Sequence, residues 1–236
     1  MFFMKSHRPH FNAIVLGASG GIGAALAGRL DGDPDCDKVL RLARTGSVPF
    51  DLRDEESIIH AAQIAQEEFG DAALIFNATG VLDRHGHKPE KALGSINPQA
   101  MLDSFAVNAV GAALVLKHFH KLLPRSGRSV FATLSARVGS IGDNRLGGWF
   151  SYRASKAALN QIVRTSAIEI ARKRPDAICI ALHPGTVATA LSDPYSGTRD
   201  VLTPDQSAQY LLGVTSTLPP HATGGFYAWD GRPVEW

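Results

Sequence analysis

The chain has 236 residues, enough for one substantial core, and its shares of hydrophobic (44%) and charged (19%) residues are ordinary for a globular protein. The net charge of +2 argues against the clustered basic face that nucleic-acid binding needs. Two cysteines are too few for a disulfide framework or a zinc site, and no apolar run approaches the length of a membrane span. We expect one cytoplasmic domain over residues 1–236 that binds no metal, nucleic acid or membrane.

Apolar runs that end at turn residues alternate along the chain with longer segments of helical periodicity. The runs predict strands at residues 12–17, 38–43, 47–52, 72–80, 128–135, 177–185 and 226–229. The periodic segments predict helices at residues 22–30, 56–70, 99–123, 151–173 and 205–215. This alternation favours an α/β fold, a Rossmann-type doubly wound parallel sheet of about seven strands with helices on both faces. Such sheets bind ligands at the carboxyl ends of their strands.

The segment LGASGGIG, residues 16–23, joins the first predicted strand to the first helix and supports two interpretations. As G-x-S-x-G it matches the nucleophile elbow of a serine hydrolase, with Ser19 as nucleophile and His183 as a late base. An elbow serine follows a middle strand, however, whereas Ser19 follows the first one. The alternative is a glycine-rich turn that lets a pyrophosphate approach a helix N-terminus. We favour this turn, whose glycines are Gly17, Gly21 and Gly23.

The end of the second predicted strand indicates which dinucleotide would be bound. In such a fold, a residue about 20 positions after the glycines contacts the adenosine ribose of the cofactor. An acidic residue there would accept a hydrogen bond from the ribose 2′-hydroxyl. Here Arg44 stands at that strand end. A guanidinium suits a 2′-phosphate, which it holds through forked, charge-assisted hydrogen bonds. The sequence therefore favours NADP, with NAD as the alternative.

Tyr152 and Lys156 lie four residues apart near the start of a predicted helix, which places them on one face. A phenol has an unperturbed pKa of about 10, and a nearby ammonium stabilises the phenolate and lowers that pKa. Proton exchange with a substrate oxygen then becomes feasible. An isolated pair of this spacing is more often solvated on a helix surface, so the interpretation depends on the glycine-rich turn.

Together, the glycine pattern and the Tyr152/Lys156 pair resemble the two signatures of the short-chain dehydrogenase/reductase family, and the chain is most similar to its C-factor-like branch. The resemblance implies a catalytic set of Asn108, Ser135, Tyr152 and Lys156. It implies cofactor contacts by Gly17, Ser19, Gly20, Gly21, Ile22, Gly23, Arg44, Asp51, Leu52, Asn77, Ala78, Thr79, Gly80, Tyr152, Lys156, Pro184, Gly185, Val187 and Thr189. It assigns Arg137 and Trp149 to a substrate pocket built from loops near residues 81–98, 136–151 and 186–204.

The family mechanism implies that Ser135 steadies the substrate oxygen while Tyr152 exchanges its proton. Lys156 would lower the tyrosine pKa and hold the nicotinamide ribose, and Asn108 would hold a relay water. The expected activity is an NAD(P)(H)-dependent interconversion of a carbonyl and an alcohol on a small, partly apolar substrate, by a homodimer or homotetramer. The alternative from another class is an NADP-binding regulatory or signalling protein with little turnover.

Two positions depart from the family pattern. Leu16 stands where a threonine usually braces the glycine turn. Residues 77–80 have the order Asn-Ala-Thr-Gly where the family usually has Asn-Asn-Ala-Gly, which leaves the hydrogen bonds of this segment open. Neither departure touches the expected proton-transfer residues.

Overall fold

The computed structural model describes residues 10–83, 88–191 and 201–236. Their strands form one parallel sheet in the order β2-β1-β3-β4-β5-β6. The strands are β1 (Phe11–Leu16), β2 (Cys36–Leu42), β3 (Leu74–Asn77), β4 (Ser129–Leu134), β5 (Ala177–His183) and β6 (Phe226–Ala228). The helices are α1 (Gly21–Asp31), α2 (Glu55–Phe69), α3 (Pro98–Phe105), α4 (Ala112–Phe119), α5 (Phe150–Lys173) and α6 (Pro204–Thr217). The predicted doubly wound, Rossmann-type sheet is confirmed.

Helices cover both faces of the sheet, and β1 illustrates how its residues divide between them. Ile14 and Leu16 pack in the cluster that includes residues of α2, α4 and α5, whereas Ala13 and Val15 pack in the cluster that includes residues of α1 and α6. Strands buried on both faces have continuous apolar sequences, as here. Leu16 is fully buried in this core, which accounts for a leucine at the position before the first glycine.

The strand order reverses at β1, which pairs with β2 on one side and with β3 on the other. A crevice opens at the carboxyl ends of the strands where a doubly wound sheet reverses in this way. The glycine turn after β1 lies there, beside the end of β2. Its Gly17 and Ala18 N–H groups both donate to the Leu42 carbonyl, at 2.8 and 3.1 Å.

Seven strands were expected, and the prediction of a strand at residues 47–52 is wrong: the described residues form six strands. This segment contributes an isolated bridge between Pro49 and Ala43. Proline has no N–H to donate to a ladder, which limits pairing at this point. The apolar pattern reflects burial instead, because Phe50 and Leu52 insert into the core between β2 and α2.

The helix predicted at residues 99–123 is divided by a π-helical segment, Ala106–Gly111, between α3 and α4. Such segments occur frequently at functional sites, and this one carries Asn108. The stretch Pro98–Leu122 is the one helical stretch of the described chain that is long and apolar enough to cross a membrane by length and composition alone, a test that core helices also pass. Its α3, π and α4 parts all pack against α5.

Gly111 lies where the π segment approaches the loop between β2 and α2. A Cβ at this position would lie 2.7 Å from the Leu52 Cβ and 2.8 Å from the Leu52 backbone oxygen. We expect Gly111→Ala to lower the free energy of unfolding by about 1–3 kcal/mol, measured by urea titration, because neither neighbouring atom can move cheaply. Gly28→Ala in α1 is the control: no described atom lies within 4 Å of its added Cβ, so it should be neutral or stabilising. Equal losses in both variants would contradict this packing argument.

Candidate active site

The glycine turn is held by close backbone contacts. Gly17 has a φ of +83°, and a Cβ there would lie 3.0 Å from the Ala78 carbonyl group. A Cβ on Gly23 would overlap the Gly17 carbonyl oxygen. The next helix, α1, begins at Gly21, and no side chain of the described residues caps it. Its first N–H groups are therefore available to a ligand, and helix N-termini of this kind bind phosphate groups.

Ser19 and Gly20 of this turn are exposed. In the described part of the chain no histidine bonds to Ser19, and His183 has a buried Nδ1 atom without a hydrogen-bond partner. Burial lowers the pKa of His183 to about 4, and the positive charge of Arg137 adds to this. The contacts of a nucleophile elbow are thus missing from the described residues, and Ser19 is a turn residue.

The segment after β2 brings three predicted cofactor residues to the same edge. Arg44 is exposed two residues beyond Leu42, whose carbonyl receives the glycine turn. Asp51 accepts through Oδ1 from the Arg53 N–H at 3.0 Å, while Leu52 is buried beside the π segment. Arg44 is therefore the exposed cation of this group, two residues from the carbonyl that receives the glycine turn.

The segment after β3 runs between the glycine turn and α5. The Asn77 Oδ1 atom accepts from the N–H and the hydroxyl of Thr79, and the Ala78 N–H donates to the Leu16 carbonyl. The Asn77 Nδ2 atom is buried and has no hydrogen-bond partner among the described residues. A Cβ on Gly80 would lie 3.2 Å from the Lys156 Nζ atom, so the chain passes directly over that ammonium. The orphaned amide fits a site that is completed by a polar ligand.

Tyr152 and Lys156 lie on the buried face of α5. The Lys156 Nζ atom lies 5.9 Å from the centroid of the Tyr152 ring and donates to the Leu134 carbonyl at 2.9 Å. Burial raises the pKa of Tyr152 and lowers the pKa of Lys156 to about 8. Burial is thus the largest effect on the phenol in this structure, and the lowering of the tyrosine pKa by Lys156 stays a prediction. Burial therefore favours the protonated form of the phenol.

Asn108 connects the segment after β3 to α5. Its Oδ1 atom accepts from the Val81 N–H at 2.9 Å. Its Nδ2 group donates to the Val81 carbonyl at 2.9 Å and to the Ser155 hydroxyl at 3.1 Å. The side chain is 2% exposed, so these bonds satisfy an amide that would otherwise be costly to bury. Asn108 thereby positions the chain next to Lys156.

Ser135 follows β4 and bonds to Asn160, a residue that the sequence interpretation missed. The Ser135 hydroxyl donates to the Asn160 Oδ1 atom at 2.6 Å, and the Asn160 Nδ2 group donates to the Gly139 carbonyl at 3.3 Å. Because a carbonyl only accepts, the amide nitrogen must face Gly139 and its oxygen must face Ser135. The available sequence signal was spacing, since Asn160 comes one helical turn after Lys156.

The start of α5 is capped by Glu90, a residue that the sequence analysis did not identify. The Glu90 carboxylate accepts from the Ser151 N–H at 3.1 Å and from the Ser151 hydroxyl, and the Glu90 carbonyl accepts from the Trp149 N–H. Trp149 has a left-handed φ of +54°, and its ring lies 6.2 Å from that of Tyr152. Burial works to raise the pKa of Glu90, but the Ser151 hydrogen bonds outweigh it and hold that pKa below its usual value.

A cavity of about 360 Å³ lies at the carboxyl ends of β4 and β5. Both predicted substrate residues, Arg137 and Trp149, line it together with Ser135 and Tyr152. Residues 81–98 contribute Leu82, whereas residues 84–87 and 192–200 of the predicted loops lie outside the described residues. The described residues around the cavity bring no three possible metal ligands together.

The segment after β5 forms part of the wall of this cavity and lies against the start of α1. Gly185 has a φ of +85°, and Pro184, Val187 and Thr189 also line the cavity with Ile22. A Cβ on Gly21 would lie 2.9 Å from the Thr189 Cγ2 atom, so the two segments approach each other closely. The start of α1 and the segment after β5 therefore line the same cavity as Tyr152.

Known proteins are similar to this chain in sequence and in fold. A family model described as enoyl-(acyl carrier protein) reductase matches residues 17–219. A Rhodococcus sp. 1-hydroxy-2-glutathionyl-2-methyl-3-butene dehydrogenase is 30% identical over 189 residues, which cover 79% of this chain and 78% of that protein. C-signal from Myxococcus xanthus is 32% identical over 146 residues, covering 61% of this chain and 84% of that protein.

Two solved structures are similar over nearly the whole chain. An NADPH-bound carbonyl reductase from chicken fatty liver has a TM-score of 0.83 at 25% identity, covering 97% of this chain and 100% of that one. A Burkholderia multivorans short-chain dehydrogenase/reductase with bound NADP has a TM-score of 0.78 at 25% identity, with the same coverage.

The sheet, its glycine turn and the adjoining Tyr/Lys helix define an oxidoreductase of the NAD(P)-dependent class. The chain belongs to the short-chain dehydrogenase/reductase family, since the matching model spans most of its length.

The charge of Glu90 should make the stability of the protein depend on pH. Because its pKa is lower in the folded protein, its contribution to stability is present above the unfolded value near 4.5 and is lost as the pH falls through the folded value. We expect Glu90→Gln to cost about 1–3 kcal/mol of unfolding free energy at pH 7, with a smaller difference from the wild type below pH 4. Glu68→Gln, at an exposed site on α2, is the control in the same denaturant titrations. A loss at Glu90 that does not vary with pH would contradict the charged cap.

Proposed function

We propose that the protein is an NADP(H)-dependent reductase that interconverts a carbonyl and an alcohol on a small, partly apolar molecule. The observation that carries this proposal is that Ser135 and Tyr152 line one cavity, with the Lys156 Nζ atom 5.9 Å from the Tyr152 ring, in a fold whose first helix has an N-terminus without a described side-chain cap. The cofactors named for the chicken and Burkholderia multivorans structures support the choice of NADP, together with the exposed guanidinium of Arg44.

The cofactor fits the residues that surround the crevice. The α1 N-terminus would hold the pyrophosphate, Arg44 would meet a 2′-phosphate, and the orphaned Asn77 amide would find a partner along the ribose. Asp51 and Leu52 would lie along the adenine, and the wall from Pro184 to Thr189 would hold the carboxamide. When bound, the dinucleotide supplies or accepts the hydride.

The protein residues would position the substrate and move its proton. Tyr152 would donate its phenolic proton to the oxygen of a carbonyl substrate, and burial favours the protonated form that this step requires. Lys156, held against the Leu134 carbonyl, would return a proton to the phenolate and would itself be reprotonated from water. Ser135 would bind the same substrate oxygen, for which its hydroxyl must turn from Asn160 toward the cavity.

Removal of the Tyr152 hydroxyl tests the proton donor. We expect Tyr152→Phe to lower kcat/KM for ketone reduction by about 10²–10⁴-fold, while the NADPH dissociation constant changes less than about threefold. Reduction is followed as NADPH oxidation with a panel of ketones and aldehydes. Tyr210→Phe on the exposed side of α6 is the matched control. Retained turnover in Tyr152→Phe would rule out this role, whereas NADPH binding without turnover in the wild type would favour a regulatory protein.

Arg44 tests the cofactor preference. We expect Arg44→Ala to weaken NADPH binding about 10–100-fold and NADH binding by less than about threefold, because a forked bond to a 2′-phosphate is lost in only one of them. Tryptophan fluorescence quenching or thermal shifts measure both constants. Arg125→Ala is the control. It removes a charge from an exposed residue before β4, at the amino ends of the strands, and should change neither dissociation constant. An NADH preference in the wild type would contradict the interpretation of Arg44.

A further inference from the structure

The cavity that holds Tyr152 carries an excess of positive charge at its rim. Among the described residues that line it, three are arginines and one is an acid: Arg137, Arg145, Arg153 and Asp143. His183 adds no charge near neutral pH, because burial lowers its pKa to about 4. A substrate pocket with this balance attracts an anionic group and disfavours a cationic one.

Two of the three arginines already have partners. The Arg137 Nε atom donates to the Asp143 carboxylate at 2.6 Å, which offsets both charges. The Arg153 guanidinium donates to the backbone carbonyls of Gly147 at 3.2 Å, Gly148 at 2.9 Å and Val138 at 3.2 Å. Arg145, by contrast, is exposed and makes no hydrogen bond or ion pair within the described chain. All five of its donors are therefore without a partner in the described chain, whereas Arg137 and Arg153 each have some of theirs engaged.

The loop that carries Arg145 is braced on both sides. Besides the bonds from Arg153, the Asn144 side chain accepts from the Gly147 N–H at 3.1 Å, and the Gly142 N–H donates to the Trp236 carbonyl at 2.9 Å. These bonds hold the loop against α5 and the C-terminal segment. The guanidinium is therefore presented at the rim by a fixed backbone, which lowers the entropy lost when it binds an anion.

Apolar side chains line the remainder of this cavity. Leu82, Val138 and Trp149 are part of the wall, and Leu146, which is 81% exposed, directly follows Arg145. An exposed leucine beside an unpaired arginine at a cavity mouth suits a ligand with an apolar body and a charged end.

We propose that the substrate is a carbonyl compound with an apolar body and a carboxylate, and that Arg145 binds the carboxylate while the carbonyl lies at Tyr152. This inference rests on the proposed reductase function. In the reaction, the carbonyl carbon gains a hydride from NADPH, its oxygen gains the Tyr152 proton, and NADP⁺ and a hydroxy acid are formed. The phenol is then reprotonated from water through Lys156. The carboxylate is unchanged and serves to orient the substrate.

A pair of probes that differ in one charge tests this assignment. 4-Acetylbenzoate and its methyl ester present the same ketone on the same ring, and only the acid carries a charge at pH 7. The measured quantity is the ratio of kcat/KM for acid over ester, followed as NADPH oxidation. We expect a ratio above about five in the wild type, a fall to near one in Arg145→Gln, and a decrease of the wild-type ratio in high salt. Arg125→Gln should retain both the wild-type ratio and the wild-type rates.

Other outcomes would overturn the carboxylate assignment, the reductase function or both. A wild-type ratio near one, or a ratio that Arg145→Gln leaves unchanged, overturns the carboxylate assignment while the reductase function stands. Absence of turnover with both probes and with every neutral ketone and aldehyde of the panel overturns the proposed function, and the substrate assignment fails with it. Turnover with neutral carbonyl compounds but with neither probe overturns the carboxylate assignment alone. A thermal scan of Arg145→Gln separates loss of binding from loss of fold.

Discussion

The buried ammonium of Lys156 is the constraint on which the rest of the site depends. A charged group withdrawn from water is costly unless it has a polar partner, and here the Leu134 carbonyl at the end of β4 provides one. This contact joins the middle of the sheet to α5 at one point. One turn toward the N-terminus the same helix face carries Tyr152, and one turn toward the C-terminus it carries Asn160, which receives the Ser135 hydroxyl. Three of the four expected catalytic residues, Ser135, Tyr152 and Lys156, are thus held by one helix and one strand end, while Asn108 lies on the π segment.

The same burial sets the resting protonation state. It raises the pKa of the phenol and lowers the pKa of the ammonium, so both groups are driven toward their neutral forms. A neutral phenol is a proton donor, which agrees with reduction as the direction of the proposed reaction. The rim of the cavity is different, because Arg145 is exposed there and remains charged. Burial therefore opposes charge at Tyr152, while the Leu134 carbonyl stabilises the ammonium of Lys156.

Sequence reasoning was most successful where the residues act through local backbone geometry. The glycine turn, the strands on either side of it and the Tyr152/Lys156 spacing were all predictable, because turns and helix faces depend on neighbours within a few residues. It failed at residues 47–52, where apolar residues enter the core without strand pairing, and at the π segment, which inserts an irregular turn into a continuous helical pattern. It did not anticipate that the phenol is buried, since burial depends on packing from the whole molecule.

The sequence by itself determined the class of fold, the dinucleotide-type turn and the family, because these follow from periodicity and from motifs of fixed spacing. Only the tertiary structure decided which residues support the expected catalytic set. Glu90 caps a helix that begins 60 residues later, and Asn108 bonds to Val81 and Ser155 from a different helix. It also decided that Arg145, rather than Arg137, has an unpaired guanidinium in the described chain. Such pairings join residues far apart in the chain, and their distances and burial arise only when the sheet and its helices pack together.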